Sequence, residues 1–537
     1  MQGLMQDFPL TLVHVFERAA RLHTKSSVVT ATATGVERMG YGAWAERTRR
    51  LGGMLDDLGI AEGGRVGTFA WNSGRHLELY FAAPCSGRVL HTINIRLFPD
   101  QLKFVVNHAE DEVVFVDRSL IGALWQHAGN FQSVRRFVVM DDGRGEIPDD
   151  DRIVDYESLL EAASPREFSI GDENRAAALC YSSATTGNPK GVLYSHRSMF
   201  LHSMATMLAD TVAIAETDVV MPVVPMFHVN AWGFPHAAVF AGATLVFPGP
   251  DLSPTAIADL LEAEKVTLTG GVPTIWMGVL DEIEGRDLSS LKTVVCGGSA
   301  VPQALSEAYR QTLGRPILQA WGMTETSPIG AVCRIRSHLR GLSEEELAGV
   351  RSAQGVPSPG IEARIVSPDG EEQPWDGRAA GELQVRGPWV ARAYYKEEDE
   401  PAVTKDGWLR TGDVATIDDD GYIRLVDRTK DLVKSGGEWI SSVELENEIM
   451  AHPKVAEASV IGVSHRKWQE RPLACVVVKP EEELSKQDLI EWLEPRVARW
   501  WLPDDVVFVD EIPKTSVGKF SKKDLRARFA DHELPDE

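Results

Sequence analysis

Ser182, Ser183, Thr185 and Thr186 crowd hydroxyl groups into one short stretch that closes on Lys190. Residues 181–191 read Tyr-Ser-Ser-Ala-Thr-Thr-Gly-Asn-Pro-Lys-Gly. Hydroxyls donate hydrogen bonds, a glycine such as Gly187 lets backbone N–H groups approach an anion, and one lysine adds positive charge. The chemistry such a set serves is phosphate binding. It is not the P-loop, because no window places Gly, four residues, then Gly-Lys-Ser/Thr. The same residue types also gather in solvated turns that hold no ligand, so the stretch by itself leaves both readings open.

Four other stretches carry groups that would complete a nucleotide site. Gly297, Gly298 and Ser299 follow the apolar residues 293–296, at the kind of strand end where open α/β sheets bind nucleotides. Gln319, Ala320, Trp321, Gly322, Met323, Thr324 and Glu325 follow, and a lone glutamate beside hydroxyls suits magnesium, which takes one or two carboxylates and keeps several waters. Asp413 closes Asp-Gly-Trp-Leu-Arg-Thr-Gly-Asp (406–413), where a carboxylate would accept hydrogen bonds from a ribose diol. Lys519 follows Ser516, Val517 and Gly518 on an expected loop. Each of these is also ordinary loop punctuation when taken alone. Asp418, Asp419, Asp420 and Gly421 look faintly like a calcium loop, but the spacing is wrong and a bidentate Glu is missing, so a hairpin turn is expected there.

The elements that must hold these groups follow from pattern and size. A chain of 537 residues exceeds one core and should divide into two or three units, and 43% hydrophobic with 25% charged residues is ordinary globular composition. Up to about residue 350, short apolar strands alternate with helical stretches, which points to parallel sheets covered by helices. The phosphate stretch reads as a loop between an apolar strand, 176–180, and a helix, 196–208. Past residue 355, short strands at 361–366, 381–386 and 422–426 suggest a small antiparallel unit or barrel. Beyond Asp427 a compact mixed α/β segment begins, with helices at 443–450 and 486–497. Lys plus Arg number 55 against 79 Asp plus Glu, a formal charge of -24, which repels nucleic acid and anionic lipid. Cys85, Cys180, Cys296, Cys333 and Cys475 lie far apart, arguing against zinc and disulfides and fitting a reducing compartment. With no signal peptide evident and no long apolar window, the expected location is cytoplasmic.

In order and wording, 181–191, 319–328, 407–413, 427–441 and 513–520 resemble the signature blocks of the adenylate-forming superfamily of acyl-CoA synthetases, luciferases and peptide-synthetase adenylation domains. Pro-Val-Val-Pro-Met-Phe-His-Val-Asn-Ala-Trp-Gly (222–233) and Lys-Ser-Gly-Gly-Glu-Trp-Ile-Ser-Ser (434–442) resemble the medium- and long-chain fatty-acyl-CoA synthetases. The resemblance implies an N-terminal adenylation domain, 1–427, and a mobile C-terminal domain, 428–537. It also implies a two-step reaction in which a carboxylate and ATP give acyl-adenylate and pyrophosphate, and the thiol of coenzyme A then displaces AMP. By resemblance, Thr185, Thr186 and Lys190 hold the β- and γ-phosphates, Ser182 and Ser183 open the ATP-binding loop that also includes Gly187, Thr324 meets the α-phosphate and Glu325 ligates Mg²⁺. Gly297, Gly298 and Trp321 line the adenine slot, Ser299, Gln319, Ala320, Gly322 and Met323 belong to the same ATP/AMP site, and Asp413 and Arg428 bind the ribose. Lys519 bridges carboxylate and α-phosphate, Lys430 is the hinge, and Gly436, Gly437, Glu438 and Trp439 pass the coenzyme A arm, with Lys434 serving the thioester step. His228 and Trp232 flank the acyl tunnel, Trp232 as its gate. The partners implied are a small carboxylate, ATP and coenzyme A, with a homodimer as the assembly.

The chain departs from the family at Ala184, where the phosphate loop usually carries glycine. Where that glycine needs positive φ, alanine costs on the order of 1 kcal/mol, and the expectation is weakened rather than abolished phosphate binding. Three rivals to a fatty-acid ligase remain at this point. They are a ligase for a short sulfur-containing acid such as 3-methylthiopropionate, a free-standing adenylation module feeding a carrier protein, and a non-enzymatic ATP-binding relative disabled by Ala184.

Overall fold

The computed structural model describes residues 1–537 apart from 34, 183–187, 400–401, 429–430, 436–437, 466, 516–519, 533 and 535–537. Two large sheets dominate it. One has seven strands in the order Ile153–Asp155, Arg136–Met140, Asp111–Asp117, Arg65–Phe69, Val89–Thr92, Ala176–Tyr181 and Gly191–Ser195. Every neighbouring pair in it is parallel except the last. The other has nine strands and is parallel through its middle, from Leu318–Gly322 by way of Thr293–Cys296, Leu268–Gly271, Val219–Pro222 and Thr244–Phe247 to Ser27–Thr32. Near-continuous Val, Leu and Ala in these strands, buried on both faces, is what a parallel sheet under helices requires.

Helices Leu12–Leu22, Tyr41–Asp57, Gly74–Cys85 and Phe234–Ala241 pack into the same core as the sheets, around Phe16, Trp44, Phe81 and Phe168. Phe81 meets Trp44 edge-on at 5.3 Å between ring centroids, and Phe168 meets Phe16 edge-on at 5.1 Å. Truncating any of these rings to alanine would cost about 3–5 kcal/mol.

The phosphate stretch does not join a strand to a helix as the sequence pattern indicated. A second strand, Gly191–Ser195, intervenes and pairs antiparallel with Ala176–Tyr181, so the stretch is the tip of a hairpin, and the helix His196–Met207 starts only after it. The reason is readable in retrospect: Val192 and Tyr194 point inward and Leu193 outward, the two-residue alternation of a half-buried strand. The hairpin closes where Ser182 N–H donates to the Lys190 carbonyl at 2.9 Å.

Past the large sheets, Glu362–Val366, Gly381–Arg386, Leu409–Ile417 and Ile423–Arg428 form a four-stranded antiparallel meander in chain order. Asp418–Gly421 is the turn between its last two strands, with Asp418 Oδ1 accepting from the N–H groups of Asp420 and Tyr422. The remaining five-stranded sheet is built on the long hairpin Val455–His465 and Gln469–Val478, with Val433–Ser435, Glu438–Ile440 and Asp505–Phe508 alongside. Helices Ser442–Met450 and Lys486–Leu493 cover it. The second of these stops at Leu493, short of the expected residue 497. Glu494 caps it, its N–H still donating to the Ile490 carbonyl at 2.9 Å, but Pro495 has no N–H with which to extend the hydrogen-bond ladder. All five cysteines are buried and unpaired.

Candidate active site

Strand Leu318–Gly322 carries Trp321 on a buried face, and its indole N–H donates to Asp413 Oδ2 at 3.0 Å. Asp413 sits on Leu409–Ile417 directly opposite Arg428 of Ile423–Arg428, and the Arg428 guanidinium lies 3.4 Å from Asp413 Oδ1. Two residues from one expected ribose pair are thus joined to one from the adenine slot. The carboxylate has lone pairs to spare, since each oxygen accepts more than one hydrogen bond. Gly297, just past Thr293–Cys296, packs against the neighbouring strand: a Cβ there would stand 2.7 Å from the Ala320 carbonyl oxygen and 3.6 Å from Trp232. Only glycine lets these backbones approach so closely. Gly322 is under the same constraint from the Pro328 carbonyl.

Trp232 belongs to a strained segment. Val229, Asn230, Ala231 and Trp232 all have φ between 41° and 57°, and Gly233 follows at 72°. Left-handed geometry costs roughly 1–2 kcal/mol for each non-glycine residue, so the surroundings must impose it. They do so by packing. Asn230 Oδ1 accepts from the Cys180 thiol at 3.3 Å, and His202 fills the space a side chain at Gly233 would need. His202 is buried, its ring accepting from Ile329 N–H at 3.2 Å, and burial lowers its pKa to about 3, with His236 adding to the effect.

After Gly322 the chain passes through Met323 into a single turn, Thr324–Thr326. Thr324 and Glu325 are buried there. The Tyr194 hydroxyl, from the second strand of the phosphate hairpin, donates to the Thr324 carbonyl at 2.7 Å. The Tyr394 hydroxyl donates to Glu325 Oε1 at 2.8 Å. Lys190 Nζ lies 4.5 Å from the centre of the Tyr394 ring and 2.8 Å from Glu397 Oε2. Phosphate lysine and expected metal ligand are therefore connected through Tyr394. Ser182 and half-buried His228 line one small cleft together with Phe227, Asn94 and His91.

Other expected site residues lie elsewhere or apart. The Gln319 amide turns away to the Ser352 carbonyl at 3.4 Å, and Ser299 is exposed beside Gly298. Lys434 is an exposed residue of Val433–Ser435, its N–H donating to Glu470 Oε2 at 3.0 Å. Glu438 and Trp439 form the partner strand, in register with Ser435 and Lys434. Ser183, Thr185, Thr186, Gly187, Lys430, Gly436, Gly437 and Lys519 fall outside the described residues, as does Ala184.

Either side of position 430, polar contacts are dense. Asp427 Oδ2 accepts from Ser442 N–H at 2.8 Å and from the Ser442 hydroxyl, and Arg526 pairs with Asp431 at 2.7 Å. Lys522 Nζ reaches Glu446 at 2.9 Å and the Ser442 hydroxyl. Burial works to lower the Lys522 pKa, but Glu446 and Asp427 outweigh it and hold the ammonium above its ordinary value.

Pattern and resemblance singled out Trp321, Glu325 and Asp413, but not Tyr194, Tyr394 or Glu397, which the structure ties to the same expected site residues. The alternation across 191–195 was a usable signal for Tyr194. Tyr394 and Glu397 meet partners 69 and 207 residues away, and nothing local marks such contacts.

Residues 15–395 match the AMP-binding enzyme family, and residues 444–519 match the AMP-binding enzyme C-terminal domain. The chain belongs to the AMP-binding enzyme family. This AMP-binding enzyme is 45% identical to the 3-methylmercaptopropionyl-CoA ligase of Ruegeria lacuscaerulensis, with 99% of each chain covered. It is also 45% identical to the long-chain-fatty-acid–CoA ligase of Thermus thermophilus, with 98% of this chain and 97% of that one covered. Among solved structures it resembles the anthranilate CoA ligase AuaEII in complex with anthranoyl-AMP at a TM-score of 0.87 and 25% identity, covering 98% of this chain and 100% of that one. The AMP-binding enzyme is accordingly an AMP-forming acid–thiol ligase. No helix among its described residues is long and apolar enough to cross a membrane.

Proposed function

We propose that this acyl-CoA ligase activates a medium-length aliphatic carboxylate. The observation that carries the mechanism is the contact chain from Lys190 through Tyr394 to Glu325, with Trp321, Asp413 and Arg428 joined nearby. A carboxylate oxygen attacks the α-phosphorus of ATP, the bond to the pyrophosphate oxygen breaks, and acyl-adenylate forms. The thiol sulfur of coenzyme A then attacks the acyl carbon, AMP leaves with the electron pair of the broken C–O bond, and the thiol proton passes to solvent or phosphate.

Two anions must meet in the first step, so charge neutralisation dominates its barrier. Lys190, Ser182, Ser183, Thr185, Thr186 and Gly187 hold the outer phosphates, Thr324 the α-phosphate, and Lys519 balances the charge that gathers there as carboxylate and phosphorus approach. Gly297, Gly298 and Trp321 flank adenine, while Asp413 and Arg428 accept and donate to the ribose. Glu325 fits magnesium: among the described residues there is no cluster of three His, Cys, Asp or Glu to cage a metal, and one carboxylate plus phosphates and water is the set this ion favours. Bound there by Glu325, it would neutralise phosphate charge. Trp232 gates the acyl tunnel beside His228, a role supported by the strained backbone that holds it next to Gly297.

Residues 1–427 form the adenylation domain and 428–537 the mobile domain, turning about Lys430 so that Gly436, Gly437, Glu438 and Trp439 admit the pantetheine arm and Lys434 serves thioester formation. The resemblance further implies a homodimer, and five buried free thiols suit the cytoplasm.

A second reading, activation of 3-methylthiopropionate, is favoured by the 45% identity to the Ruegeria ligase. Straight-chain acids from acetate to stearate, with 3-methylthiopropionate, assayed for AMP release with and without coenzyme A, test both. Highest kcat/KM on a medium-chain acid with thiol-dependent turnover supports the first, and a maximum on the sulfur acid replaces it by the second. Adenylate without thioester would instead mark a module feeding a carrier protein. Lys519→Ala should lower pyrophosphate release about 10²–10³-fold while sparing thioester formation from supplied acyl-adenylate. Equal loss in both half-reactions would overturn its assignment.

A further inference from the structure

The turn from Tyr394 to Glu397 is held from three sides. Tyr395 N–H donates to the Gly191 carbonyl at 2.8 Å, beside Lys190. Lys396 Nζ pairs with Glu110 at 2.6 Å and donates to the His108 carbonyl at 2.9 Å, while its backbone sits at φ 63°, a conformation unusual for a side-chain-bearing residue. Glu397 N–H donates back to the Tyr394 carbonyl at 3.0 Å. So fixed, the turn presents the Glu397 carboxylate to Lys190 Nζ at 2.8 Å, with the Tyr394 ring under the same ammonium.

Both partners of this pair are open to water, the Lys190 side chain at 48% and that of Glu397 at 37%. An exposed pair contributes little to stability, and surrendering it leaves neither charge stranded in the core. It does control whether Lys190 is available to another anion. Glu397 also repels any phosphate that approaches the same lysine.

We propose that Glu397 is a built-in stand-in for substrate phosphate. It holds Lys190 at the phosphate hairpin when no polyphosphate is bound, yields it to the more highly charged triphosphate of ATP, and recaptures it as pyrophosphate leaves. The proposal rests on the assignment of Lys190 to the outer phosphates. Its consequence is a site with lowered affinity for ATP and pyrophosphate alike, which keeps the by-product from lingering. Adenosine, which has no phosphate, should not feel Glu397 at all.

Calorimetric titration of the full-length protein with MgATP, inorganic pyrophosphate and adenosine tests this. Glu397→Gln should bind ATP and pyrophosphate about two- to five-fold tighter than the parent at low salt, the worth of one exposed pair. Adenosine affinity should stay level, and the gain should fade at about 0.5 M salt as the charges are screened. In a Lys190→Ala background the Glu397→Gln gain should shrink to the part due to direct repulsion of phosphate, because competition for the ammonium is gone, and an undiminished gain would overturn the stand-in role. If Lys190→Ala weakens ATP yet Glu397→Gln leaves it unchanged or weaker, the stand-in role is wrong while the phosphate role of Lys190 stands. If Lys190→Ala leaves ATP binding unchanged, the assignment of Lys190 and the proposal fall together. A gain for adenosine equal to that for ATP would mark Glu397 as structural and also overturn the proposal.

Discussion

The proposed nucleoside end of the site and its proposed phosphate and hinge rim are built on opposite terms. Trp321, Asp413, Thr324 and Glu325 are buried, and each is tied to another element by a hydrogen bond or through its backbone. Lys190 and Lys434 are exposed, the first paired with the partly exposed carboxylate of Glu397 and the second donating its backbone N–H to Glu470, while exposed Arg428 leans from the rim onto buried Asp413. The difference follows from what each end meets. Adenine and ribose are unchanged through both half-reactions, so rigid, desolvated donors and acceptors lose nothing by being fixed. Phosphate charge and the thiol come and go, and groups that must release them are better kept in water, where exchange of an ion pair is nearly free.

The contrast predicts a gradient of mutational cost from the buried end outward. Asp413→Asn should cost most. The amide cannot supply acceptors to both the Trp321 indole and the Arg428 guanidinium, and loss of a buried charge-assisted hydrogen bond is worth about 1.5–3 kcal/mol. That is roughly a 10- to 150-fold fall in kcat/KM for ATP, carried equally by any acid substrate. Tyr194→Phe comes next, because it leaves the Thr324 carbonyl without its hydroxyl donor and loosens the link between hairpin and α-phosphate turn. A neutral hydrogen bond nets about 0.5–1.5 kcal/mol, so about a 2- to 12-fold rise in KM for ATP should be read from initial rates. Should Tyr194→Phe prove costlier than Asp413→Asn, the nucleoside end would not be the rigid anchor of the site.

Those two residues also show what the sequence could and could not reveal. Asp413 stands in a stretch whose wording resembles a family block, and Trp321 and Glu325 stand in another, so all three could be singled out as candidates without coordinates. The layering of parallel sheets was legible too, since runs such as Thr293–Cys296 alternate with helical patterns. The hairpin was marked only faintly, because Gly191–Ser195 is short and the alternation that signals it spans only Val192 to Tyr194 before the helix begins. Tyr394 and Glu397 were invisible for a different reason. Their meaning lies in contacts with Glu325 and Lys190, and a tyrosine or glutamate in a charged loop has no local pattern that separates a tethered side chain from a solvated one.

The outer end of the gradient is set by Lys434. Its strand, Val433–Ser435, pairs with Glu438–Ile440 at one edge of the C-terminal sheet, and its side chain is exposed. Removing an exposed ammonium takes away a screened charge and leaves no buried group unsatisfied, so Lys434→Ala should change kcat for thioester formation by no more than about five-fold. Pyrophosphate release in the first half-reaction should be untouched, because under the proposed assignment that step draws on the buried end and on Lys519. Single-turnover assays that follow each half-reaction separately make the distinction. A loss on the scale expected for Asp413→Asn, confined to the thioester step, would mean that Lys434 enters a desolvated site after the C-terminal domain turns. In that case exposure in this conformation would say nothing about exchange, and the contrast between the two ends would hold only for the adenylation half of the cycle.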